Sequence, residues 1–181
     1  GELKIAGKQQ NKVYLYGQHN ICEYDVQKRT LSLIYKTPDD ASIRTACIDN
    51  DKSIWISTTK SFYHLSKDLS KEQPIDLGMI GAVTSIVNGI ENRLWLGAGR
   101  SLLMLDKETG EIHRIGKSEG IMPNEFYSKA TGSIGGQILM GGATGLVHIR
   151  KGLSHSNKKP IGLFVSDIKV NGAKVSEKLI S

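Results

Sequence analysis

The apolar positions of this chain fall into short clusters that return at a nearly constant interval. Val13-Tyr14-Leu15-Tyr16, Ile54-Trp55-Ile56-Ser57, Leu94-Trp95-Leu96-Gly97 and Ile138-Leu139-Met140-Gly141 are four versions of one segment. Their second residues lie 41, 40 and 44 positions apart, and both tryptophans of the chain fall in that column. A second apolar set follows in step: Ile21–Tyr24, Phe62–Leu65, Leu102–Leu105 and Leu146–Ile149. Nine residues before each anchor stand Ile5, Ala46, Ile86 and Ala130, followed by Ala6, Cys47, Val87 and Thr131. These small or medium side chains suit a crowded innermost strand. A fourth set, Thr30–Tyr35, Gln73–Leu77 and Glu111–Ile115, completes the first three units, while the fourth has no clear counterpart.

Each unit therefore predicts four strands joined by three turns. Asn50-Asp51-Lys52 and residues 89–92 supply the first turn, and Asp106 to Gly110 the last, with glycine where a positive φ costs little. The two middle strands are apolar at successive positions instead of alternating, which means burial on both faces. A lone antiparallel meander keeps one wet face, so every sheet has to be sandwiched by its neighbours. Four-stranded sheets of about 40 residues stacked face to face around an axis make a β-propeller. A sandwich of irregular hairpins would explain short strands, but not one column holding Tyr14, Trp55 and Trp95. The fold class is all-β, with about four blades of a partial propeller over residues 1–155. Residues 156–181 read as a linker followed by strands Leu163–Val170 and Ala173–Val175 around an Asn171-Gly172 turn.

Composition adds little to this and excludes some alternatives. With 39% hydrophobic and 23% charged residues, 20 Gly and 4 Pro, the 181-residue chain is ordinary for a globular protein. No apolar run approaches the ~20 residues of a membrane-spanning helix. The net charge of +6 invites a polyanion partner, yet +4 of it lies in residues 151–181. No basic stripe interleaved with aromatics is present, so nucleic acid is not expected as a partner. Cys22 and Cys47 occupy apolar columns and read as small buried hydrophobes. Trp55 and Trp95 could stack on sugar rings, but a mid-blade column argues for packing between blades.

The third and fourth units carry a family resemblance. Leu94-Trp95-Leu96-Gly97 with Leu103 to Asp106 resembles the two-component regulator propeller repeat. Gly120-Ile121-Met122-Pro123-Asn124-Glu125-Phe126, with Gly141-Gly142 and Gly145-Leu146, resembles the last blade of such propellers. Pro160 to Val175 resembles the first strands of the Ig-like domain, named for its three tyrosines, that follows them. Tyr14 departs from the usual Trp, and Thr58-Thr59-Lys60 lacks the usual glycines. The resemblance implies the periplasmic sensor region of a Bacteroides-type hybrid histidine kinase and response regulator. A parent of that kind is anchored in the membrane and senses glycan fragments to control polysaccharide-utilisation genes. It also implies more blades than four, and so an excised C-terminal portion.

No phosphate loop, nucleophile elbow or metal-ligand spacing is found, so neither catalysis, cofactor nor metal is expected of this segment. His64 and His148 share a column two blades apart, too far to hold one ion. Ligands of propellers meet the end where second-to-third and fourth-to-first connections gather. On that end Arg44, Arg100, Asn124 and Glu125 are the candidate ligand-binding residues, offering the planar donors and acceptors that sugar hydroxyls need. The competing reading of Asn124 and Glu125 is that they cap the turn into the last blade. The expected partners are an oligosaccharide or other glycan-derived ligand and, through uncovered blade faces, a second copy. A protein-contact scaffold and a propeller lyase or hydrolase are the alternative functions.

Overall fold

The structure, a computed structural model, describes residues 2–89, 91–150, 169–170 and 173–174. The chain divides into two compact units, Gly1–Lys151 and Gly152–Ser181. The first is a β-propeller of four blades. Blade 1 holds β1 (Lys4–Gln9), β2 (Lys12–Tyr16), β3 (Asn20–Asp25) and β4 (Thr30–Lys36). Blade 2 holds β5 (Ile43–Ile48), β6 (Ile54–Thr58), β7 (Phe62–Leu65) and β8 (Glu72–Pro74). Blade 3 holds β9 (Val83–Asn88), β10 (Arg93–Ala98), β11 (Ser101–Asp106) and β12 (Ile112–Ile115). Blade 4 has, among the described residues, three strands, β13 (Phe126–Ile134), β14 (Gln137–Gly142) and β15 (Gly145–Ile149). Within each blade the strands pair antiparallel in chain order. The inner strands β1, β5, β9 and β13 pack one on the next. They surround a shared axial cavity of about 560 Å³ that Ala6, Ala46, Ile86 and Thr131 line together.

The fourth strand of blade 2 is shorter than the Gln73–Leu77 segment that the sequence predicts, and it begins one residue earlier. Pro74 ends it: a proline has no N–H to continue a ladder and is tolerated on an outer edge. The Ile75 N–H still bonds the Phe62 carbonyl at 2.9 Å. Asp76 then accepts the Gly78 N–H at 2.7 Å and turns the chain into the 3-10 turn Gly78–Ile80. Asp25 and Asp106 play the same part between third and fourth strands, each accepting two backbone N–H groups at 2.9 to 3.0 Å.

Burial follows a blade's place in the arc. In the interior blades, β6, β10 and β11 are buried at nearly every position. In the end blades, β2 and β14 bury only alternate residues. Three seams of one design hold the arc together. Tyr14, Tyr16 and Ile21 on the trailing face of blade 1 pack with Ile54, Ile56, Tyr63 and Leu65 on the leading face of blade 2. Trp55 and Phe62 of blade 2 pack with Leu94, Leu96, Leu103 and Leu105 of blade 3. Trp95, Leu102 and Met104 of blade 3 pack with Ile138, Met140, Val147 and Ile149 of blade 4. Both tryptophans are thus buried packing residues, and Trp55 also stacks on His64 with centroids 4.1 Å apart. Cys22 and Cys47 are free thiols, and burial pushes the Cys47 thiol up to about 11.

Within the second unit, β16 (Lys169–Val170) and β17 (Ala173–Lys174) pair antiparallel, Lys169 opposite Lys174. The expected linker, the turn at 171–172 and the rest of the Ig-like strands lie outside the described residues.

Candidate functional site

The connections at one end of the propeller are tied by a recurring backbone bond. In blades 2 to 4 the second-to-third turn donates to the residue that leads into the same blade's inner strand. Thr59 bonds Ser42 at 2.8 Å, Gly99 bonds Ala82 at 3.2 Å and Ala143 bonds Glu125 at 3.0 Å. Two further bonds cross between blades, from Ile43 N–H to Gln18 at 2.7 Å and from Asn124 N–H to Arg100 at 3.2 Å. This end is therefore one braced surface, suited to presenting side chains at fixed spacing.

Three of the four candidate residues meet there. Arg100 occupies the turn between β10 and β11, exposed, with its carbonyl on the Asn124 N–H. Glu125 follows Asn124 and is exposed. Arg44 is exposed on β5, where the pairing with β6 slips between Ile43 and Thr45 and leaves it bulged. No bond links it to the other three. Asn124 has a different part from theirs. It is buried, its Oδ1 accepts the Thr144 N–H at 2.9 Å, and its Nδ2 donates to the Gly145 carbonyl at 3.2 Å. The side chain clamps the β14–β15 turn to the loop before β13. A Cβ on Gly142 would lie 2.6 Å from Asn124 Oδ1, so glycine is what lets the clamp close. Asn124→Ala is expected to lower stability by about 2 kcal/mol, because the two side-chain hydrogen bonds that hold the turn, each worth about 1 kcal/mol, are lost; urea unfolding measures it.

Two clefts open on this end. One of about 270 Å³ is lined by Arg100, Leu102, Ile115, Lys117, Ile121 and Pro123. The other, of about 300 Å³, runs from the β6–β7 turn (Thr58, Thr59, Lys60) to Leu77 and Gly81 over Phe62. An apolar floor with guanidinium, ammonium and hydroxyl groups at its rim can hold a polar, ring-bearing ligand.

At the opposite end lies a charged group that the column reading did not single out. Asp49, after β5, accepts the Trp55 indole N–H at 2.9 Å. It also accepts Lys107 Nζ at 2.9 and 3.0 Å and Asn88 Nδ2 at 3.0 Å, while Lys107 donates to Asn88 Oδ1 at 3.0 Å. The Asp49 and Lys107 side chains are 9% and 10% exposed. Burial of the Asp49 carboxylate opposes its ionisation. The indole, the ammonium and the Asn50 N–H outweigh that, holding its pKa below the usual value. The faint signal in the sequence is that the column six before the anchor holds Lys8, Asp49, Gly89 and Ser133, with one acidic residue.

Among the described residues, no three His, Cys, Asp or Glu side chains gather closely enough to hold a metal ion. The carboxylates of Asp68 and Asp106 are spent on turns. The Ser66 hydroxyl and Ser70 bring Asp68 down to about 2, and the Thr109 N–H lowers Asp106.

No family model matches the chain, and no curated protein sequence does. Solved structures do match. An extracellular domain assigned to the hybrid two-component system BT4673 of B. thetaiotaomicron superposes with a TM-score of 0.62 at 18% identity, covering 84% of this chain and 21% of that one. An auxiliary nutrient-binding protein of Bacteroides thetaiotaomicron gives 0.57 at 18% identity, over 77% of this chain and 35% of that one. A streptogramin B lyase gives 0.54 at 14% identity, over 81% and 53%. The fold thus belongs to the β-propellers, and the chain spans about a fifth of the BT4673 domain it resembles.

Proposed function

We propose that this chain is part of the extracytoplasmic sensor region of a hybrid two-component system. It takes part in binding a glycan-derived ligand, or relays that binding towards a histidine kinase, and performs no chemistry itself. The observation that supports this reading is the four-blade likeness to an extracellular domain of such a system, together with a nutrient-binding protein among the other structural matches. The braced loop end supplies the surface, with Arg100 at the rim of an apolar-floored cleft and Glu125 and Arg44 as further exposed polar groups. A ligand that favours one arrangement of the sensor region over another biases the equilibrium by its differential affinity, and that bias is the signal.

Calorimetry of the intact sensor region against a panel of glycan fragments tests this directly. One fragment class is expected to bind, and Arg100→Ala or Glu125→Ala to weaken it about tenfold each, the value of one hydrogen bond to a charged group. Heat from no member of the panel would reject the glycan reading and favour a propeller that serves protein contacts.

A further inference from the structure

The cleft beside Arg100 stands out by its charge. It opens on the loop end, and all ten residues that line it lie between Arg100 and Pro123, in blade 3 and the connection to blade 4. Leu102, Ile115 and Pro123 give it apolar surface. Three of the ten are cationic, Arg100, Arg114 and Lys117, and none is acidic. A concave wall that carries one sign of charge concentrates its field in the cleft.

Those cations are not neutralised within the fold. Elsewhere Lys12, Lys36, Arg93 and Lys107 have acidic partners within ion-pair distance. Among the described residues Arg100, Arg114 and Lys117 have none. The carboxylate next in sequence, that of Glu119, is already engaged. Its Oε2 accepts the Gly116 N–H at 2.8 Å and its Oε1 the Ser118 hydroxyl at 2.7 Å, which closes the turn after β12. Arg100 and Lys117 do their structural work through their carbonyls, which accept the Asn124 N–H at 3.2 Å and the Gly120 N–H at 3.0 Å. Both residues are exposed, and their side chains take no part in those bonds. Arg114 is placed differently. It stands opposite Leu103 in the β11–β12 pairing and so shares the face turned towards blade 2. It adds charge to the cleft, whereas Arg100 and Lys117 are the donors at its rim.

This composition selects among sugars. A neutral sugar offers hydroxyls that donate as well as accept, so a site for one needs acceptors beside its donors. Arginine and lysine side chains only donate. An ionised carboxylate or a sulfate ester only accepts, and it bonds guanidinium and ammonium groups more strongly than a hydroxyl does. The volume of about 270 Å³ suits the end of a short fragment better than a long chain.

We propose that this cleft takes the anionic group of an acidic sugar, a uronate carboxylate or a sulfate ester, on Arg100 and Lys117, with the sugar ring against Leu102, Ile115 and Pro123. This ligand class rests on the glycan reading above and narrows it.

Calorimetry on the intact sensor region tests it with charged and neutral probes in pairs: digalacturonate with its methyl ester, and a lactose monosulfate with lactose. At least one charged probe is expected to bind about a hundredfold more tightly than its neutral partner, roughly tenfold from each of two charge-assisted bonds. The pair that shows the gap distinguishes carboxylate from sulfate. Arg100→Gln and Lys117→Gln should each narrow the gap about tenfold, with circular dichroism to check that the fold is kept. Raising salt from roughly 50 to 500 mM should weaken the charged probe and spare the neutral one, through screening. Equal affinities within both pairs, or a gap that neither substitution narrows, would overturn this inference and leave the glycan reading standing. Binding of neutral fragments alone would do the same. Heat from no carbohydrate at all would remove the glycan reading with it.

Discussion

Lys107→Ala should destabilise the propeller by about 3–5 kcal/mol, read as a shift of the urea midpoint at unchanged slope. The substitution removes the ammonium bound to both oxygens of Asp49 and leaves that carboxylate nearly buried against Trp55 and Asn88. A buried charge without its counter-ion bears its desolvation cost uncompensated, which is why removing one partner costs more than the pair ever contributed. Replacing both partners by apolar residues, as in Asp49→Leu with Lys107→Met, should not restore stability. The Trp55 indole N–H and the Asn88 amide would then lose their acceptor. The pair also sets a pH dependence. The Asp49 pKa is depressed in the folded state, so its contribution is complete above the ordinary carboxylate value. It is lost as pH falls from about 4 through the folded-state pKa. Lys107→Ala should flatten that part of the stability profile, and a profile identical to that of the parent would refute this assignment.

Gly97→Ala is the second large effect, about 3 kcal/mol or a fall in Tm of roughly 6–12 °C at this chain length. A Cβ at Gly97 would lie 2.5 Å from the Phe126 Cβ and collide with the Ser85 hydroxyl oxygen. Neither neighbour can retreat cheaply. The Phe126 Cβ is placed by its own backbone, whose carbonyl accepts the Thr84 hydroxyl at 2.8 Å, and Ser85 lies in the same sheet opposite Gly97. Relief would require blade 4 to move off blade 3. Gly141 occupies the same column one blade later, and its Cβ would meet only residues of its own blade, Ala130 at 3.0 Å and Leu146 at 3.9 Å. Gly141→Ala should therefore cost about 1 kcal/mol or less. Calorimetric melting of the two variants side by side makes the comparison, and equal melting temperatures would mean that the third seam is not as tight as this geometry requires.

Much of this architecture is legible from column spacing, because a blade is a local object. Its strands are joined by short turns, its core residues recur at the same offsets, and the Trp column identifies packing wherever it falls. The candidate site was legible in part. Arg100 and Glu125 emerge on the surface their turns predicted, whereas Asn124 is consumed by the Thr144 and Gly145 backbone groups some 20 residues away. A polar residue in a loop reads the same from the sequence whether it faces solvent or clamps a turn. Only the approach of the second segment distinguishes the two.

The repeat in the residues alone settles the blade, its strand order and the role of the tryptophans. All of these follow from periodicity and from turn chemistry within about 40 residues. Which turn residues the loop end leaves exposed and which it ties down, and the Asp49–Lys107 pair, were decided by folding in space. Lys107 reaches Asp49 across 58 residues of chain and from a different blade. Desolvation and hydrogen bonding act through distance in three dimensions, so no spacing along the chain could disclose that the two charges neutralise one another.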